Sequence, residues 1–185
     1  GSGLYDVLKR IGSKNVEIKR ICVRDISKKR AIEAEFTNNP DDIFNDPEIN
    51  FIVELIDDAE AAYTIVKRAL QMELPVVSGN KKMLAHHIEE LIELQARYNV
   101  ALLYDASACG SIPVIRNLEE YYDNDLLTSV KGILNGSSNF ILSKIFNEKM
   151  SYSDALKLAQ DLGFAESNPT LDIDGWDSLF KLIII

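Results

Sequence analysis

The chain has few of the residues that would tie it to an oxidising compartment. Of its 185 residues only two are cysteine, Cys22 and Cys109, and no CxxC spacing occurs. That excludes a disulfide-dense secreted scaffold and disfavours a zinc site, and it fits a reduced, cytoplasmic setting. No apolar run approaches the roughly 20 residues that a membrane-spanning helix needs, and no secretory signal is present. Positive charge is also short: 20 Lys and Arg against 29 Asp and Glu leave a net charge of -9. A nucleic-acid surface needs clustered positive charge, so that class of partner is not expected. Only two histidines are present, His86 and His87, side by side on a polar helix where they read as a solvated face. There is no internal repeat and no low-complexity segment.

What charge there is lies unevenly. Residues 1–30 hold nine Lys and Arg against Asp6, Glu17 and Asp25, a local excess of six positive charges. Such a stretch is either a solvated surface or a place for a small anion such as a phosphate. Cys22 lies in the apolar pattern around Ile21 and Val23 and reads as packing. Cys109, beside Gly110, has no histidine placed to activate it, so packing next to a turn is expected there too.

The apolar pattern alternates between two periods. Leu4, Val7, Leu8 and Ile11 mark an amphipathic helix, and Val16 to Val23 a strand ending near Arg24 and Asp25. Phe51–Ile56 is a short buried strand, 59–71 a helix, Pro75–Val77 a strand closed by Ser78-Gly79-Asn80, then a helix to Tyr98 and a strand over Val100–Tyr104. Short apolar strands separated by helices predict a parallel sheet, with ligands beyond the strands' carboxyl ends. The fold class expected is α/β: a Rossmann-like parallel sheet over 1–104, then an α+β half over 105–185. In that second half a helix runs to about Tyr122, a strand spans Leu127–Leu134, and two helices follow. The second of these is opened by Ser151 with Asp154 three residues on. A turn over Glu166–Thr170 leads to a last helix from about Asp174. The chain finishes on Leu182-Ile183-Ile184-Ile185, four hydrophobes that would be exposed at a free end, from which further chain is expected.

Lys181 is the residue that stands out on physical grounds. It sits in the most apolar stretch, with Asp177 one turn before it on the same helix face. It is either half of an ordinary surface pair or a partly desolvated lysine suited to proton transfer. Glu166, Asp172 and Asp174 bring further carboxylates near that helix. Acids gathered round a lysine could hold an amine-bearing substrate while the lysine handles its proton.

Four segments then carry a family resemblance. Gly132-Ile133-Leu134-Asn135-Gly136-Ser137-Ser138-Asn139-Phe140-Ile141-Leu142 closely resembles the Gly-Ile-Leu-Asn-Gly-Thr-Thr-Asn-Tyr-Ile-Leu segment of homoserine dehydrogenases. Glu166 through Lys181 is similar to that family's Glu, Pro-Thr, Asp, Gly, Asp, Lys signature. Val76-Val77-Ser78-Gly79-Asn80-Lys81 resembles its Val-Val-Thr-Ala-Asn-Lys, and Tyr104 through Pro113 its Tyr-Glu-Ala-Ser-Val-Ala-Gly-Gly-Ile-Pro. Four matches in order are far more specific than a lone glycine motif.

The resemblance implies an NAD(P)-dependent oxidoreductase interconverting L-homoserine and L-aspartate 4-semialdehyde, on the route to threonine, methionine and isoleucine. It gives Lys181 the acid/base role, with Lys81 a second candidate. Glu166 and Asp177, with Asn135, Gly136 and Ser137, would hold the substrate. The cofactor would meet Gly1, Arg24, Asp25, Ser78, Asn80 and Lys81, with Gly1 matching the third glycine of a Gly-x-Gly-x-x-Gly turn. The strand and two glycines that precede it in the family are not in this sequence. Arg24 beside Asp25 favours NADP over NAD, since an arginine suits a 2′-phosphate; otherwise Asp25 merely caps its loop. A homodimer is also implied, and in some members a sodium ion, here at Asp105, Ala108, Gly110 and Ile112. Asp105 stands where the family has Glu, Asp57-Asp58 replaces a glycine-containing turn, and Phe164 replaces a Tyr. The other reading of the chain is a non-catalytic fragment that serves only in dimerisation or interaction.

Overall fold

The computed structural model describes residues 1–12, 15–122, 127–166 and 168–185. Lys14 of the basic stretch and Ser167 of the signature lie outside them.

The α/β expectation holds. After α1 (Ser2–Ile11) come two short strands, β1 (Arg20–Cys22) and β2 (Glu35–Thr37), and the turn-like α2 (Asp41–Phe44). Next follow β3 (Ile52–Glu54), α3 (Ala59–Gln71), β4 (Val76–Ser78), α4 (Lys81–Tyr98) and β5 (Leu102–Leu103). Among the described residues all pairing is parallel, but in two separate ladders: β1 with β2, and β3-β4-β5 in that order. β2 has only Phe36 as a large hydrophobe, which is why the apolar pattern does not reveal it. Arg20 reaches across the first ladder, with Nε 3.1 Å from Glu35 Oε1.

Every other residue of β3 and β4 is buried. Ile52, Val76 and Leu102 meet Val66 and Leu70 of α3 and Leu84 and Leu91 of α4 in one core. The alternate residues Val53, Val77 and Leu103 stand in register across the strands and remain exposed. Helix starts are set by side chains that satisfy free backbone N–H groups. Asp58 Oδ1 accepts from Ala61 N at 2.8 Å to open α3, so one member of the Asp57-Asp58 pair serves as a cap.

Beyond β5 the described elements are helices: α5 (Asp105–Cys109), α6 (Val114–Tyr121), α7 (Gly136–Glu148), α8 (Tyr152–Asp161), α9 (Thr170–Ile173) and α10 (Trp176–Ile184). The strand expected over Leu127–Leu134 does not form; this segment has strand-like composition but no ladder among the described residues, and a strand exists only with a neighbour to bond to. Ser151 caps α8 as its spacing implies, accepting from Asp154 N at 3.2 Å. A second core joins α7 to α8 through Ile141, Ala155 and Ala159. The last helix turns back to the first half. It packs along α4, and Ile184 is buried in the main core together with Ala108 and Ile115.

Two smaller expectations are corrected. Cys22 is exposed rather than packed, because the strand ends there and turns its side chain outward. The histidine pair is not simply solvated: His87 stacks on Tyr63 at 3.9 Å and His86 meets the Phe180 ring edge-on at 5.6 Å. Cys109 packs against the main core, as expected.

Candidate active site

Asp177 is the centre of the site. It belongs to the first turn of α10, and its residue surface is 9% exposed. Its Oδ2 accepts from Lys181 Nζ at 2.7 Å, the one-turn pairing that the spacing implies. Its Oδ1 is paired with the Lys81 ammonium, which arrives from the first turn of α4, 96 residues earlier in the chain. Burial by itself would push the Asp177 carboxyl up. The hydrogen bonds from Lys181, Lys81 and Asn135 outweigh it and hold the group down at about 2, so the carboxylate stays ionised.

Asn135 completes the arrangement. It caps α7, where its Oδ1 accepts from Ser138 N at 2.7 Å. That fixes the amide orientation, and both Nδ2 protons are then directed at carboxylates. One goes to Asp177 Oδ2 at 2.9 Å and the other to Asp172 Oδ1 at 2.7 Å. Lys181 Nζ also donates to the Leu134 carbonyl at 2.7 Å. Lys181 is therefore neither a loose surface lysine nor an unpaired buried one; an anion and a carbonyl hold it. Ser137 Oγ donates to Phe164 O at 2.5 Å and lies 3.2 Å from Asp172 Oδ2, while Ser138 Oγ donates to Asp172 O at 3.0 Å. Asp172 thus belongs to the site as the residue that ties α9 to the start of α7. The sequence places it only among the acids near the last helix; its contacts with Asn135, Ser137 and Ser138 come from the fold.

Other predicted residues fall elsewhere. Glu166 is exposed, and its carbonyl accepts from Gln160 Nε2 at 3.2 Å. Gly136 opens α7 with space where a Cβ would stand. Gly1 caps α1 and is exposed. Arg24 is exposed, and Asp25 Oδ1 accepts from Ser27 N at 2.8 Å and Ser27 Oγ at 2.6 Å, an Asx turn that lowers its carboxyl below the ordinary range. Ser78 and Asn80 are buried at the carboxyl ends of the strands, directly before Lys81. At the proposed cation loop, Asp105 Oδ1 accepts from Arg116 N at 3.2 Å and the Ile112 carbonyl from Val114 N at 2.9 Å. Both oxygens are engaged within the protein. Leu134 and Asn135 also line an open groove of about 370 Å³, shared with Leu142, Ser178, Leu179 and Leu182.

Comparison with known proteins decides the family. The model described as "Homoserine dehydrogenase, NAD binding domain" matches residues 1–105, and that of "Homoserine dehydrogenase" matches 113–185. The chain belongs to the homoserine dehydrogenase family. The homoserine dehydrogenase of Helicobacter pylori is 40% identical over 180 residues, covering 97% of this chain and 42% of that protein. That of Lactococcus lactis is 38% identical and covers 96% and 43%. The crystal structure of a homoserine dehydrogenase from Thiobacillus denitrificans superposes with a TM-score of 0.83 at 35% identity, over 98% of this chain and 44% of that one. A hyperthermophilic archaeal homoserine dehydrogenase in complex with NADPH superposes with a TM-score of 0.66 at 30% identity, over 79% and 45%. The chain therefore spans less than half the length of these relatives. Among its described residues no helix is long and apolar enough to cross a membrane.

Proposed function

We propose that this chain forms the proton-handling centre of an NADP-dependent enzyme that interconverts L-homoserine and L-aspartate 4-semialdehyde in threonine, methionine and isoleucine biosynthesis. The observation that carries this reading is the sharing of one buried carboxylate by two lysines from opposite halves of the fold. The groups in direct contact, one carboxylate and two ammoniums, carry one positive charge in excess, while Asp172 contacts Asn135 and the serines instead. Release of a single proton, from either lysine, brings the cluster to neutrality. An alcohol oxidation needs such a group, because the hydroxyl proton must leave as the hydride leaves the carbon.

Lys181 is assigned that acid/base role, with Lys81 the second candidate. Asp177 orients both ammoniums, and Asn135 keeps Asp177 and Asp172 from repelling each other by giving each an N–H. Asn135 and Ser137 therefore act by holding the site's shape, with Gly136 leaving room above α7. Glu166, exposed and acidic, is available for the substrate ammonium. A nicotinamide cofactor, when bound, accepts the hydride. Its phosphates suit the exposed Arg24, while Asp25 is already engaged with Ser27, which favours the form carrying a 2′-phosphate. A homodimer in the cytoplasm is the assembly and setting proposed.

The test is to express the complete product of the encoding gene and follow NADP reduction with L-homoserine. Turnover is expected in the wild type. Lys181→Ala should lower kcat by roughly a thousandfold with KM within a few-fold. No turnover by the wild type removes the enzyme reading; unchanged kcat in the variant removes Lys181 from its role.

A further inference from the structure

Glu54 is a buried carboxyl group that the proposed chemistry does not use. It ends β3 with only 2% of its surface exposed, in a position where period-two alternation puts it on the same face as Ile52. Its oxygens are met by uncharged donors: Ser78 Oγ donates to Oε2 at 2.5 Å, and Ile56 N to Oε1 at 2.5 Å. Taking a carboxyl out of water for two neutral donors is costly, and a leucine could fill the same space without that cost. What the carboxyl supplies is a pair of acceptors at one point.

Both acceptors lead to Asn80. The Ser78 proton is committed to Glu54, so a Ser78 Oγ lone pair is free to receive Asn80 N–H, at 3.2 Å. Ile56, held through its N–H, presents its own carbonyl, in the following peptide, to Asn80 Nδ2 at 2.8 Å. Asn80 Oδ1 accepts from Met83 N at 2.9 Å and starts α4. The next residue is Lys81. The four residues Glu54, Ser78, Asn80 and Ile56 close a hydrogen-bonded ring directly under the turn that delivers the Lys81 ammonium to Asp177.

We propose that Glu54 is a positioning residue for Lys81, fixing through Ser78, Ile56 and Asn80 the angle at which α4 leaves the sheet. The inference rests on the assignment of Lys81 to the proton-handling cluster. Lys181 reaches Asp177 by a separate route, along α10 and from the Leu134 carbonyl, and so serves as an internal control. Loss of the ring frees Lys81 and leaves Lys181 held.

The experiment compares Glu54→Gln and Ser78→Ala with wild type in the complete gene product. A pulse of acetic anhydride labels lysines, and mass spectrometry reads Lys81 and Lys181 separately. The expected result is acetylation of Lys81 faster by roughly five- to tenfold, with Lys181 unchanged. In homoserine oxidation kcat should fall roughly tenfold with KM within about twofold, the mark of misplaced rather than missing contacts. Labelling of Lys81 at the wild-type rate in both variants overturns the proposal. So does a rise at Lys81 and Lys181 together, which marks general loosening. If Glu54→Gln does not fold, Ser78→Ala carries the same decision. If wild type does not oxidise homoserine, the functional reading fails, and the labelling still decides the role of Glu54.

Discussion

Replacing Asp177 by Asn keeps the shape of the side chain and removes the one negative charge between two ammoniums. The amide must also turn an N–H toward a lysine or toward Asn135, each of which is itself a donor. The size of the electrostatic part follows from the carboxyl's position: its ordinary value is 3.8 and in the folded chain it lies at about 2. At ~1.4 kcal/mol for each factor of ten in proton affinity, that gap is worth about 2 kcal/mol. The folded state binds the proton less tightly than the unfolded one. The stabilisation is therefore complete above pH 3.8 and is lost as pH falls toward 2. With the unsatisfied donors added, Asp177→Asn should lower the unfolding free energy by about 2–4 kcal/mol at neutral pH. Urea unfolding of both proteins, repeated from about pH 5 down to 2.5, measures the difference directly; other acids titrate in both proteins and cancel. The difference should shrink by most of ~2 kcal/mol over that range. A gap that stays constant across it shows that Asp177 contributes by shape and not by charge. A gap below ~0.5 kcal/mol at neutral pH refutes the account of the cluster altogether.

Two further outcomes are expected. Asp58→Ala removes the cap of α3 and should cost about 1 kcal/mol in urea unfolding, with m unchanged; no measurable cost means that solvent satisfies Ala61 N equally well. Arg24→Ala should weaken NADP binding about tenfold in a fluorescence titration of the complete gene product and leave NAD binding unchanged, whereas equal losses for both cofactors remove the 2′-phosphate assignment.

The sequence makes the repetitive parts of the molecule legible and hides the contacts that cross it. The strands at Ile52 and Val76 show themselves as apolar runs, and the start of α8 is written in Ser151. Lys181 and Asp177 are visible as partners because one helical turn separates them. Lys81 and Asp177 are not, since no local period links residues so far apart; only the packing of α10 along α4 brings them together. Asp172 is visible only as one more acid near the last helix, and its partners Asn135 and Ser138, both at the start of α7, are hidden for the same reason. Leu127–Leu134 misleads in the opposite sense, because strand-like composition says nothing about whether an edge is available. Glu54 was within reach: strand alternation puts it on the same face as Ile52, and an acid at a core-facing position is an anomaly with a reason.

The return of α10 to the first half has a bearing on how such an enzyme can change over generations. Asp177 and Ile184 lie on one helix, the first bridging Lys81 and Lys181 and the second filling the main core. The half that carries the parallel strands and the helical half thus share a single keystone. An exchange of either half for a foreign counterpart would unseat the shared carboxylate and open a hole in the fold at the same stroke. Loops and exposed residues such as Arg24 are free to drift in such an architecture, while the two halves must be inherited together.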